Sequence, residues 1–298
     1  MHGLMQDVPL TLPHLFERAE RLFADKEVVT ATPTGRDRVT YGEWAERARR
    51  LGGVLDELGV SPEGRVGTFA WNSARHLELY FAVPCTGRVL HTLNIRLSAD
   101  QLVYVADHAE DEVIFVDRSL ARLLLPHLPR LTTVKHVVVM DDGAGDVPPV
   151  GGGPEVHDYE TLLAGAGPVE FRVDDEWRAA SMCYTSGTTG NPKGVVYTHR
   201  SSFLHTLGVM VAGTMGIDEP DRVLPVVPMF HANAWGLAHA AVAAGASLVM
   251  PGPDLSPAAV ADLIESERIT VAAGVPTIWM GVLPELAGRD TSNLRMVV

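Results

Sequence analysis

The sequence predicts an α/β protein built from two doubly wound units, in which helices cover both faces of mainly parallel sheets. Three observations predict this fold class. Segments with apolar residues at helical spacing alternate along the 298-residue chain with short apolar runs. Those runs lack polar–apolar alternation, which is typical of strands that are covered on both faces. No short-period repeat interrupts the pattern, which argues against solenoids and propellers.

The first half of the chain begins with two amphipathic helices. The first has its apolar side chains on one helical face, at Leu12, Leu15, Phe16, Ala19, Leu22 and Phe23. The second begins at Thr40, which forms a capping box with Glu43, and ends near Gly59. Its predicted buried stripe consists of Trp44, Ala48, Leu51, Leu55 and Leu58. We then expect a strand over residues 65–70 and helices over residues 73–85 and 98–108, the last opened by a capping box of Ser98 and Gln101.

A change of composition marks the middle of the chain. Two apolar runs, residues 113–116 and 137–140, predict buried strands. The stretch that follows, residues 141–154, is rich in glycine, proline and aspartate and is typical of a surface loop or linker. We therefore expect one α/β subdomain over residues 1–150 and a second over residues 151–298.

The second half repeats the alternation of strands and helices. Strands are predicted over residues 180–184, 194–198, 223–227, 246–250 and 269–273, and helices over residues 201–212, 237–244, 257–267 and 277–286. Ser256 is the predicted N-cap of the helix that starts at Pro257. The last residues, 294–298, resemble the middle of a buried strand, so we expect this chain to be the front part of a longer one. The alternative is a natural terminal strand.

Composition and charge argue against several classes of function. The 24 basic and 37 acidic residues give a formal net charge of −13, whereas non-specific nucleic-acid binding needs a basic surplus. The two cysteines, Cys85 and Cys183, form no metal or redox motif. The first residues lack a signal-peptide pattern, and we expect a cytoplasmic protein. Residues 223–253 carry no charge, but their prolines and polar side chains favour a strand, a loop and a core helix over a membrane span.

The most informative stretch is Tyr184-Thr185-Ser186-Gly187-Thr188-Thr189-Gly190-Asn191-Pro192-Lys193-Gly194. Its glycines let backbone N–H groups converge on a ligand, its hydroxyls add donors, and Lys193 adds a positive charge. This combination suits phosphate oxygens. The chain has three lysines and 21 arginines, so a lysine within a glycine-rich loop indicates a specific role. The alternative is a flexible hairpin turn that binds nothing.

This stretch differs from a Walker P-loop. Asn191 and Pro192 separate Gly190 from Lys193, and a β-like run follows where a P-loop has a helix. The G-x-G-x-x-G and G-x-S-x-G motifs are absent from the sequence. The sequence therefore predicts a phosphate-binding loop between two strands.

Residues 184–194 resemble the phosphate-loop signature of the adenylate-forming superfamily, which includes acyl-CoA synthetases, luciferases and peptide-synthetase adenylation domains. The resemblance covers the whole chain and is closest to the medium- and long-chain fatty-acid–CoA ligases. It implies the large N-terminal domain of that family, without its small C-terminal domain. It is carried further by Thr40-Tyr41-Gly42-Glu43, His91-Thr92-Leu93-Asn94-Ile95-Arg96-Leu97, Val227-Pro228-Met229-Phe230-His231-Ala232-Asn233-Ala234-Trp235-Gly236 and Gly274-Val275-Pro276-Thr277.

The resemblance implies a two-step reaction that uses ATP, Mg²⁺ and coenzyme A. The carboxylate of a fatty acid attacks the α-phosphate of ATP, and the thiol of coenzyme A then attacks the acyl-adenylate. The resemblance places Thr185 near Mg²⁺. The residues expected to bind the nucleotide are Thr185, Ser186, Gly187, Thr188, Thr189, Gly190, Lys193 and His231.

Lys193 and His231 are the expected catalytic residues, with His231 beside the nucleotide and the reacting carboxylate. By the same resemblance Trp235 gates an acyl tunnel, and Gly274 and Val275 line the acyl pocket. The alternatives are a core histidine at position 231 and a core tryptophan at position 235.

Three interpretations of the function stay open. The first is a fatty-acid–CoA ligase, the second is a superfamily member that acts on an aryl or short-chain acid, and the third is a non-catalytic nucleotide-binding relic. Fatty acid and coenzyme A are the expected partners, with no nucleic acid and no membrane span. Transient membrane contact and a homodimer are further alternatives. Since the later motifs of the family fall beyond residue 298, the chain alone is predicted to form no acyl-CoA.

Overall fold

The computed structural model describes residues 3, 5–149, 152–185 and 191–298. Helices and strands largely alternate along this part of the chain, with short 3₁₀ turns before and after α5. The helices are α1 (Leu12–Leu22), α2 (Tyr41–Glu57), α3 (Ala74–Cys85), α4 (Ala99–Ala109), α5 (Ala121–Leu124), α6 (Tyr159–Gly165), α7 (His199–Met210), α8 (Leu237–Ala244), α9 (Pro257–Ser266) and α10 (Pro276–Glu285). The strands are β1 (Glu27–Thr32), β2 (Gly35–Thr40), β3 (Arg65–Phe69), β4 (Val89–Thr92), β5 (Asp111–Asp117), β6 (His136–Met140), β7 (Glu155–Asp158), β8 (Ala179–Thr185), β9 (Lys193–Thr198), β10 (Arg222–Pro225), β11 (Ser247–Met250), β12 (Val271–Ala273) and β13 (Met296–Val297).

The strands form two mainly parallel sheets. Sheet A has the strand order β13-β12-β10-β11-β1-β2, and sheet B has the order β7-β6-β5-β3-β4-β8-β9. The pairs β1–β2 and β8–β9, at one edge of each sheet, are antiparallel. Each sheet combines strands from both sides of residue 150, so the sheets divide the chain differently from the predicted boundary. The division into subdomains 1–150 and 151–298 stays a prediction.

Three layers of helices cover the faces of the two sheets. Helices α1, α2, α3 and α8 form a central layer that packs against one face of each sheet. Helices α4 and α5 cover the other face of sheet B, and α9 and α10 cover the other face of sheet A. Neighbouring strand residues are therefore both buried: Val28 belongs to the central core and Val29 to the cluster under α9. This arrangement confirms the predicted doubly wound α/β fold.

The predicted capping signals are present in the structure. The hydroxyl of Thr40 accepts a hydrogen bond from the N–H of Glu43, whose carboxylate accepts one from the N–H of Thr40 at 2.8 Å. Ser98 and Gln101 form the same box at the start of α4. Gly59, just after α2, has a φ of +67°, which favours glycine at the end of a helix. These local signals explain why the starts of α2 and α4 are close to their predicted positions.

One sequence-based expectation about burial is wrong. Leu22 was predicted on the buried face of α1 but is 63% exposed, because the helix ends there and the chain turns towards β1. The apolar segment 294–298 was predicted to resemble a buried strand. Within it, β13 pairs in parallel with β12 over Met296 and Val297, so a strand is present.

The uncharged stretch 223–253 contains β10, a loop, α8 and β11, as predicted. Helix α8 is fully buried, which explains its apolar composition without a membrane. Among the helices of the described residues, none combines the length and the hydropathy that a membrane crossing requires.

Three histidines are buried in the helical layers: His76, His199 and His239. Burial penalises the charged imidazolium and lowers the pKa of each to about 4. His76 shows how a neutral ring is accommodated. Its Nε2 lies 3.0 Å from the hydroxyl of Thr68, and its Nδ1 lies 2.9 Å from the carbonyl oxygen of Trp71.

Lowering the pH from 7 to 5 should therefore destabilise the fold by about 2 kcal/mol through each of these histidines. An unfolded histidine has a pKa of about 6.5 and takes up a proton in this range, whereas the folded one stays neutral until about pH 4. Stability is thus lost as the pH falls. Asp117 acts in the opposite direction, because burial raises its pKa to about 8.

Urea unfolding of the wild type and of His76→Gln at both pH values isolates one histidine from these opposing effects. The variant should lose about 2 kcal/mol less than the wild type between pH 7 and pH 5. The matched control is His14→Gln, since His14 is exposed, and its loss should equal that of the wild type. Equal losses for the wild type and His76→Gln would contradict the assignment.

Candidate functional site

The predicted phosphate loop joins β8 and β9 at the edge of sheet B. In the register of this antiparallel pair, Thr185 lies opposite Lys193 and Tyr184 lies opposite Gly194. Five of the predicted loop residues lie outside the described residues: Ser186, Gly187, Thr188, Thr189 and Gly190. The strand that begins at Lys193 confirms the predicted β structure after the loop. Backbone hydrogen bonds of the sheet therefore hold both ends of the loop.

Tyr184, two residues before the first of these, is held by two histidines. Its hydroxyl lies 2.6 Å from Nδ1 of His108, and its ring packs against His91 with centroids 5.2 Å apart. His91 is buried, and its Nδ1 lies 2.8 Å from a carboxylate oxygen of Asp111. Burial raises the pKa of that carboxyl. These contacts anchor the first strand of the hairpin to α4 and β4.

Lys193 differs from the other two lysines in its surroundings. Lys26 forms a salt bridge with Glu219, and Lys135 forms one with Glu112 at 3.1 Å. Lys193 is exposed, and within the described residues it forms no salt bridge. A mobile ammonium group beside a glycine-rich loop suits an anionic ligand.

A buried asparagine joins the carboxyl edges of the two sheets. Asn72 follows β3 of sheet B, and its Nδ2 donates to the carbonyl oxygens of Pro225 and Val227 at 2.7 and 3.0 Å. Its Oδ1 accepts from the N–H of Met229 at 2.7 Å. The three bonds fix the segment after β10, which leads to His231. Ligands of open α/β sheets bind at the carboxyl ends of the strands, so Asn72 shapes the expected site.

His231 is exposed, and its N–H donates to the carbonyl oxygen of Pro228 at 3.1 Å. This exposure excludes a role as a core histidine. The side chain therefore remains available to a ligand at the edge of sheet A.

The segment after His231 has an unusual backbone. Residues 232–236 all have positive φ, from 44° to 74°. Such a conformation costs a non-glycine residue roughly 1–2 kcal/mol. Asn233 anchors the segment, since its Nδ2 donates to Oγ of Ser181 at 3.0 Å and its Oδ1 accepts from the hydroxyl of Thr92 at 3.3 Å. Strained backbone that is held by tertiary contacts is typical of functional sites.

A cavity of about 500 Å³ lies between this segment, β9, α7 and α8. Its size is typical of small-molecule sites. At Gly236 a Cβ atom would lie 2.4 Å from Nδ1 of His205, so only glycine leaves room for that ring. The lining residues are Tyr197, Ser201, Ser202, His205, Ala232, Asn233, Trp235, Gly236 and His239.

His239 is a buried residue of the cavity wall. The residue is 6% exposed and packs against the rings of Tyr80 and Phe81. Burial keeps its imidazole neutral near pH 7. Among the described residues, its Nε2 has no hydrogen-bond partner. That nitrogen is buried, so the residue contributes to the cavity wall as a neutral ring.

The residues predicted to form the acyl pocket divide into two groups. Trp235 lines the cavity and also packs against the central core. Gly274 and Val275 follow β12 and do not form part of that cavity wall. They lie at the same edge of sheet A as the segment after β10, because the N–H of Val226 donates to the carbonyl oxygen of Ala273 at 2.8 Å.

Sequence reasoning missed four residues that shape the site: Asn72, Tyr80, Thr92 and Ser181. A signal for Asn72 was present, because this polar residue lies two positions after a predicted strand. Thr92 ends β4 in the same way, but that strand was not predicted. Tyr80 donates to the carbonyl oxygen of Met229, and Ser181 accepts from Asn233. No local pattern encodes these last two contacts.

The chain is similar in sequence to a known enzyme family and to several of its members. A family model described as AMP-binding enzyme matches residues 16–298. The chain is 44% identical over 296 residues to a 3-methylmercaptopropionyl-CoA ligase of Ruegeria lacuscaerulensis, a match that covers 98% of this chain and 54% of the relative. It is 46% identical over 299 residues to a long-chain-fatty-acid–CoA ligase of Thermus thermophilus, covering 99% of this chain and 53% of the relative.

The fold has a counterpart among solved structures. The crystal structure of the anthranilate CoA ligase AuaEII in complex with anthranoyl-AMP superposes with a TM-score of 0.84 at 25% identity. The match covers 98% of this chain and 55% of that one. The chain thus spans about half the length of the relatives that it matches.

Proposed function

The chain belongs to the AMP-binding enzyme family, and we propose that it forms the N-terminal part of a longer acid–CoA ligase, hereafter the full-length enzyme. The family membership agrees with the resemblance seen in residues 184–194. The proposal rests chiefly on one observation: the β8–β9 hairpin holds Lys193 opposite Thr185, and the same hairpin contributes Tyr197 to the 500 Å³ cavity. A phosphate-binding loop and an acid pocket would thereby be neighbours.

The first step of the proposed reaction takes place on ATP. A carboxylate oxygen attacks the α-phosphorus, and pyrophosphate leaves as the acyl-adenylate forms. Negative charge on the leaving pyrophosphate must be stabilised, and this role is proposed for Lys193 together with the hydroxyls of Ser186, Thr188 and Thr189. The glycines at positions 187 and 190 would let backbone N–H groups approach the phosphates.

Thr185 is the proposed protein ligand of the Mg²⁺ that accompanies the nucleotide. It ends β8 and offers an exposed hydroxyl oxygen, a type of ligand that Mg²⁺ accepts. The residue therefore fits the ion as one neutral ligand, with phosphate oxygens and water as the others. When bound, Mg²⁺ neutralises phosphate charge.

The cavity is the proposed site of the acid. His231 is expected to orient the carboxylate towards the nucleotide, and Trp235 is expected to control access to the cavity. Gly274 and Val275 are proposed to line the entrance at the edge of sheet A. A fatty acid fits the apolar part of the wall, which includes Trp235 and the small residues Ala232 and Gly236.

A chain-length series of acids tests this substrate class. Each buried methylene contributes about 0.8 kcal/mol, so octanoate should exceed butyrate in kcat/KM by roughly two orders of magnitude in the full-length enzyme. The measurement is acid-dependent release of pyrophosphate with saturated acids of increasing length. A flat profile, or a preference for benzoate, would contradict a long apolar pocket.

A short acid with a polar atom in its chain is the second candidate, and an aryl acid is the third. One relative is named for a short thioether acid and a solved neighbour for an aromatic acid. The same assay distinguishes them, since 3-methylmercaptopropionate or anthranilate would then exceed octanoate.

The second step transfers the acyl group to coenzyme A: the thiol attacks the acyl carbon, and AMP leaves. We propose that this step needs residues of the full-length enzyme beyond position 298, so the 298-residue chain should form no acyl-CoA in a thioester assay. Turnover by the chain alone would overturn that proposal. A cytoplasmic location, transient membrane contact and a homodimer stay predictions.

A further inference from the structure

Three potential metal ligands lie together at the edge of sheet B opposite the phosphate-loop hairpin. His136 is in β6, and Glu155 and His157 are in the edge strand β7. Nδ1 of His136 lies 3.1 Å from Nε2 of His157. Oε2 of Glu155 lies 3.6 Å from the first of these nitrogens and 3.7 Å from the second.

The spacing of these atoms matches the size of a transition-metal ion. A triangle with sides of 3.1, 3.6 and 3.7 Å has a circumscribed circle with a radius of about 2.0 Å. An ion at its centre would lie about 2.0 Å from all three atoms. Zinc–nitrogen bonds to histidine are about 2.0–2.1 Å long, and zinc–oxygen bonds to carboxylate about 2.0–2.2 Å. We propose that His136, Glu155 and His157 form a zinc-type binding site.

The register of the two strands explains how the ligands converge. His136 pairs with Glu155, and Val138 pairs with His157. Glu155 and His157 are two residues apart in a strand and so point to the same face of the sheet, where His136 lies beside both. The chain therefore presents a Glu-x-His pattern on one strand and a histidine on its neighbour.

The chemistry of the donors selects the class of ion. Imidazole nitrogen suits zinc, copper, nickel and iron, whereas Mg²⁺ and Ca²⁺ prefer sites made of oxygen ligands. Two neutral imidazoles and one carboxylate leave a fourth position for water, as in three-ligand zinc sites. Without an ion, one imidazole donates a hydrogen bond to the other, and the ion would replace that shared proton.

An ion bound here would add a link between the edge strand β7 and its neighbour β6. Strand β7 has four residues, and three of them are exposed. It leads directly into α6, whose first turn is capped by Asp158, which accepts from the N–H of Thr161 at 2.8 Å. An ion that bridges β6 and β7 would therefore stabilise this edge of sheet B. The site lies apart from the proposed nucleotide site and requires no nucleotide.

Zinc titration of the full chain tests the proposal. The chain is prepared without a histidine tag, stripped with EDTA and titrated with ZnCl₂ against a chromogenic chelator. We expect one zinc ion per chain, and a rise of a few degrees in Tm at saturating zinc. Cobalt(II) at the same site should give visible absorption bands of a low-symmetry, nitrogen-ligated ion.

Variants of the proposed ligands, compared with a variant of another histidine, test whether zinc binds at this site. His136→Ala and His157→Ala should each weaken zinc binding by ~10-fold or more and abolish the rise in Tm. His14→Ala removes an exposed histidine of α1 and should bind as the wild type does. Undiminished binding by both His136→Ala and His157→Ala, or no stoichiometric zinc in the wild type, would overturn the proposal.

Discussion

Replacing Lys193 by alanine in the full-length enzyme is expected to slow acid-dependent ATP–pyrophosphate exchange by roughly 10²–10³-fold. The ammonium group faces no protein carboxylate among the described residues, so its charge is available to the phosphates. Its removal would leave charge on the leaving pyrophosphate unstabilised. Because Lys193 is exposed, the free energy of unfolding should change little.

Lys135→Ala is the matched control for this experiment. Lys135 is also a partly exposed lysine at the surface of sheet B, but it forms a salt bridge with Glu112. Its loss should leave the exchange rate close to that of the wild type, since surface salt bridges contribute little. Near-wild-type exchange by Lys193→Ala would refute the role assigned to the loop.

Replacing Asn72 by alanine should lower the free energy of unfolding by about 3 kcal/mol or more. The substitution leaves three buried backbone groups without partners, namely the carbonyls of Pro225 and Val227 and the N–H of Met229. Each contributes about 1 kcal/mol or more when its hydrogen bond is lost. Urea unfolding of the chain measures the effect.

The same substitution should also slow adenylation, because the segment held by Asn72 leads to His231. In the full-length enzyme we expect kcat for adenylation to fall more than the affinity for ATP. The phosphate loop lies between β8 and β9, whereas Asn72 holds the segment after β10. Asn293→Ala, at an exposed position, is the control and should change stability by less than about 0.5 kcal/mol. If Asn72→Ala lowers the free energy of unfolding by less than about 1 kcal/mol, that result would contradict the three hydrogen bonds assigned to this side chain.

Much of the fold was accessible from local signals. The capping boxes at Thr40 and Ser98 and the N-cap at Ser256 are written in adjacent residues, so α2, α4 and α9 begin close to their predicted positions. The strands 113–116 and 137–140 were recognisable because helices cover both of their faces. The covering layers make every residue of such a strand apolar, and that uniformity is itself the signal.

Other elements could not be predicted because their signal depends on distant parts of the chain. Strands β1 and β2 form an antiparallel pair, and the charges of Arg36, Asp37 and Arg38 hide the strand character of β2. Strand β7 is polar because it lies at an edge. The strand orders that bring β1 beside β11 and β8 beside β4 follow from tertiary packing and not from sequence proximity.

The residues of the candidate site also divide into those that local sequence indicates and those that only the folded structure brings together. The loop residues from Thr185 to Lys193 form a continuous motif, so a phosphate-binding role could be proposed for them without a structure. Asn72 and Ser181 act through contacts with residues 157 and 52 positions away. Such contacts become visible only when the two sheets are brought together. The positive φ values of residues 232–236 also gave no signal, because four of these five residues are not glycine.

The central claim is that the loop between Thr185 and Lys193 binds the triphosphate of a nucleotide. A crystal structure of the full-length enzyme with a non-hydrolysable ATP analogue tests it most directly. We expect Nζ of Lys193 and the loop hydroxyls to contact the β- and γ-phosphates, with the α-phosphate facing the cavity beside Trp235. A triphosphate bound elsewhere, without contact to Lys193, would contradict this role of the loop.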